Sequence, residues 1–216
     1  MWAVHKRLTI ILLSLAAGLT ACNRWMSHVA PKGELSAAEY EVFSAYIAGR
    51  FTAKEQTGKT TAKVVIMFDT TESGNDDRLR DENGHPLPWE KMAEILHKDS
   101  PALQQTTLDA FQQANTQQAS LRRSFRLPIE YTLVNPAQLE PIFKNHGDGW
   151  LIFYRRFPGA QGILTFSRAG FSADGTQALF YWNNSCGGLC GGGMFVVLEK
   201  RDGRWEIAQE LEKWLS

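Results

Sequence analysis

The residues best suited to chemistry are two cysteines four positions apart, set among glycines in Ser185-Cys-Gly-Gly-Leu-Cys-Gly-Gly-Gly-Met194. A thiolate at Cys186 or Cys190 is a competent nucleophile once a base takes its proton, and His85, His97 and His146 are the imidazoles that could serve. The amides of Gly187, Gly188 and Gly191 to Gly193 would then form an oxyanion hole. The same pair suits other fates. A C-x-x-C redox pair is one residue shorter, a zinc ribbon needs a second ligand pair that this chain lacks, and a disulfide needs only an oxidising compartment. The histidines match no metal-ligand spacing and no G-x-S-x-G serine motif occurs, so neither a metal nor a cofactor is expected.

A second candidate fails on context. Ala53-Lys-Glu-Gln-Thr-Gly58-Lys59-Thr60 imitates a phosphate-binding loop. Such a loop follows a strand and opens a helix, whose N-terminal amides then meet the phosphates. Here the order is reversed, helix pattern before and strand pattern after, and no nucleotide is expected. The acids between Asp69 and Glu82 lack the alternating ligand spacing of a calcium loop and read as a solvated loop.

The chain that must position the cysteines is 216 residues long and 44% hydrophobic, enough for one globular domain. Its charges balance at 23 basic and 23 acidic residues, which gives nucleic acid no electrostatic footprint. Lys6 and Arg7 precede an apolar run from Leu8 to Ala17 that is short for a membrane span, the pattern of a secretion signal over residues 1–21. Leu19-Thr20-Ala21-Cys22 resembles the bacterial lipoprotein box. That resemblance implies cleavage before Cys22 and a lipid on its sulfur. By the same family's sorting tendency, Asn23 implies the outer membrane, with the protein facing the periplasm. Residues 22–34, without hydrophobic periodicity, would be the lipidated cysteine and tether, and residues 35–216 the domain.

With Cys22 committed to lipid, Cys186 and Cys190 are left together in an oxidising space, and a disulfide between them is the leading reading. Closing so small a loop contributes about 2 kcal/mol on the chain-entropy model. The bond separates two functions. Closed, it makes Gly187, Gly188 and Leu189 a rigid knuckle, with Leu189 displayed or tucked under, that either only stabilises the turn or, with Tyr181 and Trp182 nearby, forms a recognition edge for an envelope partner. Open, it leaves a secreted thiol-dependent or hydrolytic enzyme using Cys186 or Cys190.

The surrounding elements follow from local pattern. Ser36-Ala-Ala-Glu39 is a capping box, and Tyr40, Phe43 and Ile47 lie on one face of a helix over about 36–50. Residues 62–68 and 129–134 read as strands, and helices are predicted from Trp89 and from Thr107. Asn135-Pro136 should open another helix to about Phe143, and Trp150 to Phe157 is amphipathic with a buried aromatic face. From Ile163 onward comes a meander of about four antiparallel strands, with turns at Ser172 to Gly175, at the glycine-cysteine segment and at Arg201 to Gly203. Helices in front and sheet behind predict an α+β fold with the helices on one face.

Phe166-Ser-Arg-Ala-Gly170-Phe, Ala178-Leu-Phe-Tyr181, Cys186-Gly-Gly-Leu-Cys190-Gly-Gly-Gly193, Val196-Val-Leu-Glu-Lys200 and Gly203-Arg-Trp205 together resemble a group of bacterial secreted proteins with a Cys-Gly-x-Leu-Cys-Gly-x-Gly hairpin. The likeness spans residues 160–216 and touches the front half in outline. It implies a shared fold unit and assigns no activity, no catalytic residue and no ligand.

Overall fold

A computed structural model describes residues 33–52, 64–68, 70–72, 83–144 and 148–215. The chain runs α1 (Ala37–Thr52), β1 (Val64–Phe68), α2 (Trp89–Asp99), α3 (Gln105–Ala114), β2 (Glu130–Val134), α4 (Pro136–Phe143), α5 (Gly149–Arg156), β3 (Ile163–Phe166), β4 (Gly170–Phe171), β5 (Gln177–Gly187), β6 (Cys190–Arg201) and β7 (Arg204–Leu215). The predicted signal, Cys22 and its tether as far as residue 32, the phosphate-loop mimic and most of the acidic loop lie outside the described residues, as does His146.

The fold is α+β. One mixed sheet is ordered β2-β1-β3-β5-β6-β7, with β4 paired to β5. The first three strands in that order are mutually parallel, and β3, β5, β6 and β7 form the expected antiparallel meander. The two front strands, β1 and β2, extend it on the β3 side.

The expectation that the helices share one face is corrected. Tyr40, Phe43, Tyr46 and Ile47 of α1 cover Val65, Leu164, Phe180, Trp182 and Val196 on one face. On the other, α2 and α3 cover Leu179, Tyr181, Phe195 and Val197, while α4 and α5 cover Ile66 and Ile163. The physical reason lies in β5, where every residue from Gln177 to Asn183 is buried. A strand covered on both faces is apolar at successive positions, whereas a half-exposed one alternates.

Local signals fix the helix entries. Ser36 Oγ accepts from Glu39 N at 3.2 Å and Glu39 Oε2 accepts from Ser36 N at 2.8 Å, the reciprocal bonds of a capping box. Asn135 and Gln138 make the same exchange ahead of α4, at 3.0 Å each way. In α5 Phe153 is fully buried, and Trp150 and Tyr154 pack partly against the same cluster, so its aromatic face turns inward as predicted.

Glu39 does more than cap. Its carboxylate, only 2% exposed, also accepts from Arg168 Nε at 3.0 Å, from Arg168 Nη2 at 2.8 Å and from Ala169 N at 3.3 Å. Asn115, at the end of α3, holds the backbone of the same corner: its amide donates to Arg168 O at 3.0 Å and its Oδ1 accepts from Arg168 N at 2.8 Å. The corner between β3 and β4 is thereby clamped between helices from opposite faces of the sheet. The bond to Glu39 holds the Arg168 pKa above its ordinary value, against the opposing effect of burial.

Candidate functional site

The glycine-cysteine segment is strand almost throughout, not the elaborate turn expected from its composition. The β5–β6 ladder continues through Asn183↔Gly193, Asn184↔Gly192 and Ser185↔Gly191 to Gly187↔Cys190, leaving Gly188 and Leu189 as the connection. The register shifts between Ser185 and Gly187, so Cys186 is the extra residue of a bulge. Cys186 and Cys190 are joined by a disulfide with Cα atoms 5.1 Å apart, within the range such bridges require. The bond ties the bulge to the first residue of β6 and makes the tip a small closed ring.

At that tip Leu189 is 93% exposed, the most exposed large apolar side chain among the described residues. Gly188 and Cys190 are also exposed, and Gly187 is half-buried. The ring is supported from one side by α5, whose Tyr154 hydroxyl donates to Cys186 O at 2.8 Å. Burial pushes the Tyr154 pKa up, so at neutral pH it is a phenol and can make that donation.

Tyr181 and Trp182 do not join the knuckle, which corrects the predicted recognition edge. Both are core residues, at 0% and 4% exposure. Successive strand residues point to opposite faces. Trp182 accordingly packs under α1 against Tyr46 and Phe51, at ring separations of 5.4 and 5.9 Å. Tyr181 lies on the other face, against Phe195 at 5.0 Å, and its hydroxyl accepts from Trp214 Nε1 at 2.7 Å. Gly193 makes that bond possible, because a Cβ there would overlap both the Tyr181 hydroxyl and the Trp214 indole. One of the glycines near the cysteines therefore serves packing.

Among the described residues the thiol and imidazole parts of a thiol enzyme are not brought together. Both sulfurs are bonded to each other. His97 is exposed on α2 and His85 is exposed ahead of it, in a region packed on the Leu179–Val197 part of the sheet and not at the knuckle. Among the described residues no group of three or more His, Cys, Asp or Glu side chains could hold a metal ion, and no described helix is long and apolar enough to cross a membrane.

We expect the purified oxidised protein to leave Cys186 and Cys190 unlabelled by a maleimide until reductant is added, and then to label both. Reduction should remove about 2 kcal/mol, lowering Tm by roughly 4–8 °C. A single thiol that labels rapidly before reduction would overturn the closed-ring reading and reinstate a nucleophile.

The two ends of the sheet differ. Glu34 bridges Ser120, which bridges Thr70 just beyond the C-terminal end of β1. The knuckle adjoins the opposite end, where Ile163 opens β3 beside Ser185. The segment leading into α1 and the disulfide tip therefore lie at opposite ends of the strands.

A site that composition did not reveal runs along α1. A cleft of about 630 Å³ lies between the first half of that helix and the segment from Arg122 to Arg126. Arg122, Ser124 and Arg126 line it at every second position, while Leu121 and Phe125 turn into the core. That alternation was the available signal, hidden because the segment is neither helix nor ladder-paired strand. No protein-family model matches the chain, and comparison with curated proteins and with solved structures finds no significant similarity to either.

Proposed function

We propose that this chain is a lipid-anchored module of the bacterial envelope, held at the outer membrane and facing the periplasm, that binds a protein partner through its disulfide-closed knuckle and carries out no catalysis. The observation that carries the reading is Leu189, exposed at the tip of a covalently closed ring whose two sulfurs are both consumed. A large apolar side chain held in water on a pre-ordered loop loses little conformational entropy on docking, which is what a recognition residue needs. The ends of the sheet add to this. A lipid on Cys22 would tether the domain through Gly33, opposite the knuckle, so the tip would project away from the bilayer.

The test places a photo-crosslinking residue at Gly188 in intact cells. One discrete adduct is expected with Leu189 present, and its loss with Leu189→Asp. In the same cells Cys22→Ser should move the protein out of the membrane fraction. An adduct pattern indifferent to Leu189→Asp, or identical to that from a control position at Ile95, would sink the binding reading. Membrane retention of Cys22→Ser would sink the anchor alone.

A further inference from the structure

The cleft along α1 is built by the protein around two hydroxyls. Tyr40 and Ser44, at 9% and 7% exposure, stand one helical turn apart on its wall. Tyr40 Oη accepts from Arg122 N at 2.6 Å and Ser44 Oγ accepts from Arg126 N at 3.0 Å. These bonds lash the extended segment to the helix and use each hydroxyl as an acceptor only. A hydroxyl also carries one proton to donate. Among the described residues neither proton has an acceptor, so the cleft presents two buried donors. Burial, the largest influence on Tyr40, pushes its pKa up and keeps that proton in place.

The charges of the cleft are arranged in two ways. Arg122 is neutralised within the wall by an ion pair with Glu34. Arg126 and Glu41 are left over. Arg126 is placed beside Ser44 by its amide, and Glu41 lies on α1 three residues before Ser44, so the two flank the same hydroxyl from opposite walls. Both side chains are exposed, and neither makes an ion pair or side-chain hydrogen bond among the described residues. The lining of the cleft thus includes one unspent cation and one unspent anion, not paired with each other, together with two hydroxyl donors. Leu35, Ala37 and Ala38 add apolar lining.

The geometry points to a binding site for a small zwitterion, a molecule carrying a primary ammonium and an oxyanion a few bonds apart. The oxyanion would accept from the Tyr40 and Ser44 hydroxyls and the Arg126 guanidinium, and the ammonium would donate to the Glu41 carboxylate. A dianion is disfavoured, because Glu41 would face it unpaired, and a simple cation would leave Arg126 and both hydroxyl protons unused. The volume falls in the usual range for small-molecule sites, about 300–1,000 Å³. A phosphodiester oxyanion would indicate a phospholipid headgroup of the ethanolamine type, and a carboxylate would indicate an amino acid or short peptide. Both present the same pair of charges. The knuckle plays no part in this site.

Calorimetric titration of the purified protein uses glycerophosphoethanolamine and dialanine as the two zwitterions, with ethanolamine and dimethyl phosphate as the single-charge halves. At least one zwitterion should bind saturably, about tenfold or more tighter than either half, since each charge-assisted hydrogen bond removed is worth a factor of that order. The better zwitterion identifies the source. Arg126→Glu and Glu41→Arg should each weaken binding about ten- to a hundredfold, and the double swap should restore most of it. Should a swap destabilise the fold, Arg126→Gln and Glu41→Gln are expected to show the same losses. Failure of both zwitterions to bind, binding of the halves as tight as the whole, or single variants that bind like the parent would each overturn the proposal.

Discussion

Replacing Glu39 by alanine is expected to lower the stability of the whole domain by about 3–5 kcal/mol, the range for removing one member of a buried ion pair. The carboxylate accepts five hydrogen bonds, two from Ser36, two from the Arg168 guanidinium and one from Ala169 N. Its removal leaves the Arg168 side chain, 18% exposed, as a charge without its partner. It also deprives α1 of half its capping box. For a domain of this size the loss corresponds to a Tm lower by roughly 6–20 °C. Arg168→Met should be milder, because the cation leaves with its partner and the methionine stem can fill part of the space. The double variant Glu39→Ala with Arg168→Met should cost less than the two single losses added, with a coupling of about 1–3 kcal/mol. Chemical denaturation of the four proteins gives the answer. A Glu39→Ala loss under about 1 kcal/mol would show that water takes over the role of the carboxylate, and that the clamp does not hold the corner.

The clamp also marks where sequence reading stops. The Ser36–Glu39 exchange is legible because its partners are three residues apart, as are those of Asn135 and Gln138. Arg168 is 129 positions from Glu39, and nothing local to either residue announces the other. The strands β1, β2 and β3 are legible as elements from their apolar patterns, but their parallel order is not, since it depends on where the intervening helices carry the chain. The second covered face is legible in principle. Ala178-Leu-Phe-Tyr-Trp182 is apolar at every position, and such a run belongs to a strand covered twice.

The knuckle divides in the same way. The bond between Cys186 and Cys190 is legible from cysteine number and spacing, whereas the exposure of Leu189 is not, since so short a ring can display that side chain or tuck it under. The extension of β5 and β6 through Gly187 and Gly191 to Gly193 does not follow, because glycine disfavours strands on its own and is tolerated here by the pairing on either side. The burial of Tyr181 and Trp182 has a geometric reason. Nearness along the chain is not nearness in space, since a strand carries its residues about 3.3 Å apart and alternates their faces. Trp182 is four residues from Cys186 and already inside the α1 core.

Gly170→Ala should be among the most damaging single-methyl changes at the described glycines, with a loss of about 3 kcal/mol, at the upper end of the range for overpacking. A Cβ at that position would lie 2.7 Å from Phe111 Cβ and closer still to the Phe111 backbone nitrogen and Cα. Those are atoms of α3, and a helix backbone cannot step aside as a side-chain tip can. Phe111 is itself fixed, 1% exposed, stacked on Trp89 at 5.2 Å and set edge-on to Phe195 at 5.7 Å. Moving α3 would disturb that aromatic group and pull Asn115 from the Arg168 corner, so the strain reaches the clamp from its other side. Gly192→Ala is the matched control. Its Cβ would come within 2.9 Å of Leu215 Cδ2, the free end of a side chain that is 66% exposed and able to turn away. That variant should lose less than about 1 kcal/mol, as changes at yielding surface contacts do. Gly170 is not a positive-φ position, so a large difference between the two variants reports packing and not backbone strain. Equal losses from both, measured by thermal and denaturant unfolding, would mean that α3 is held only loosely against β4.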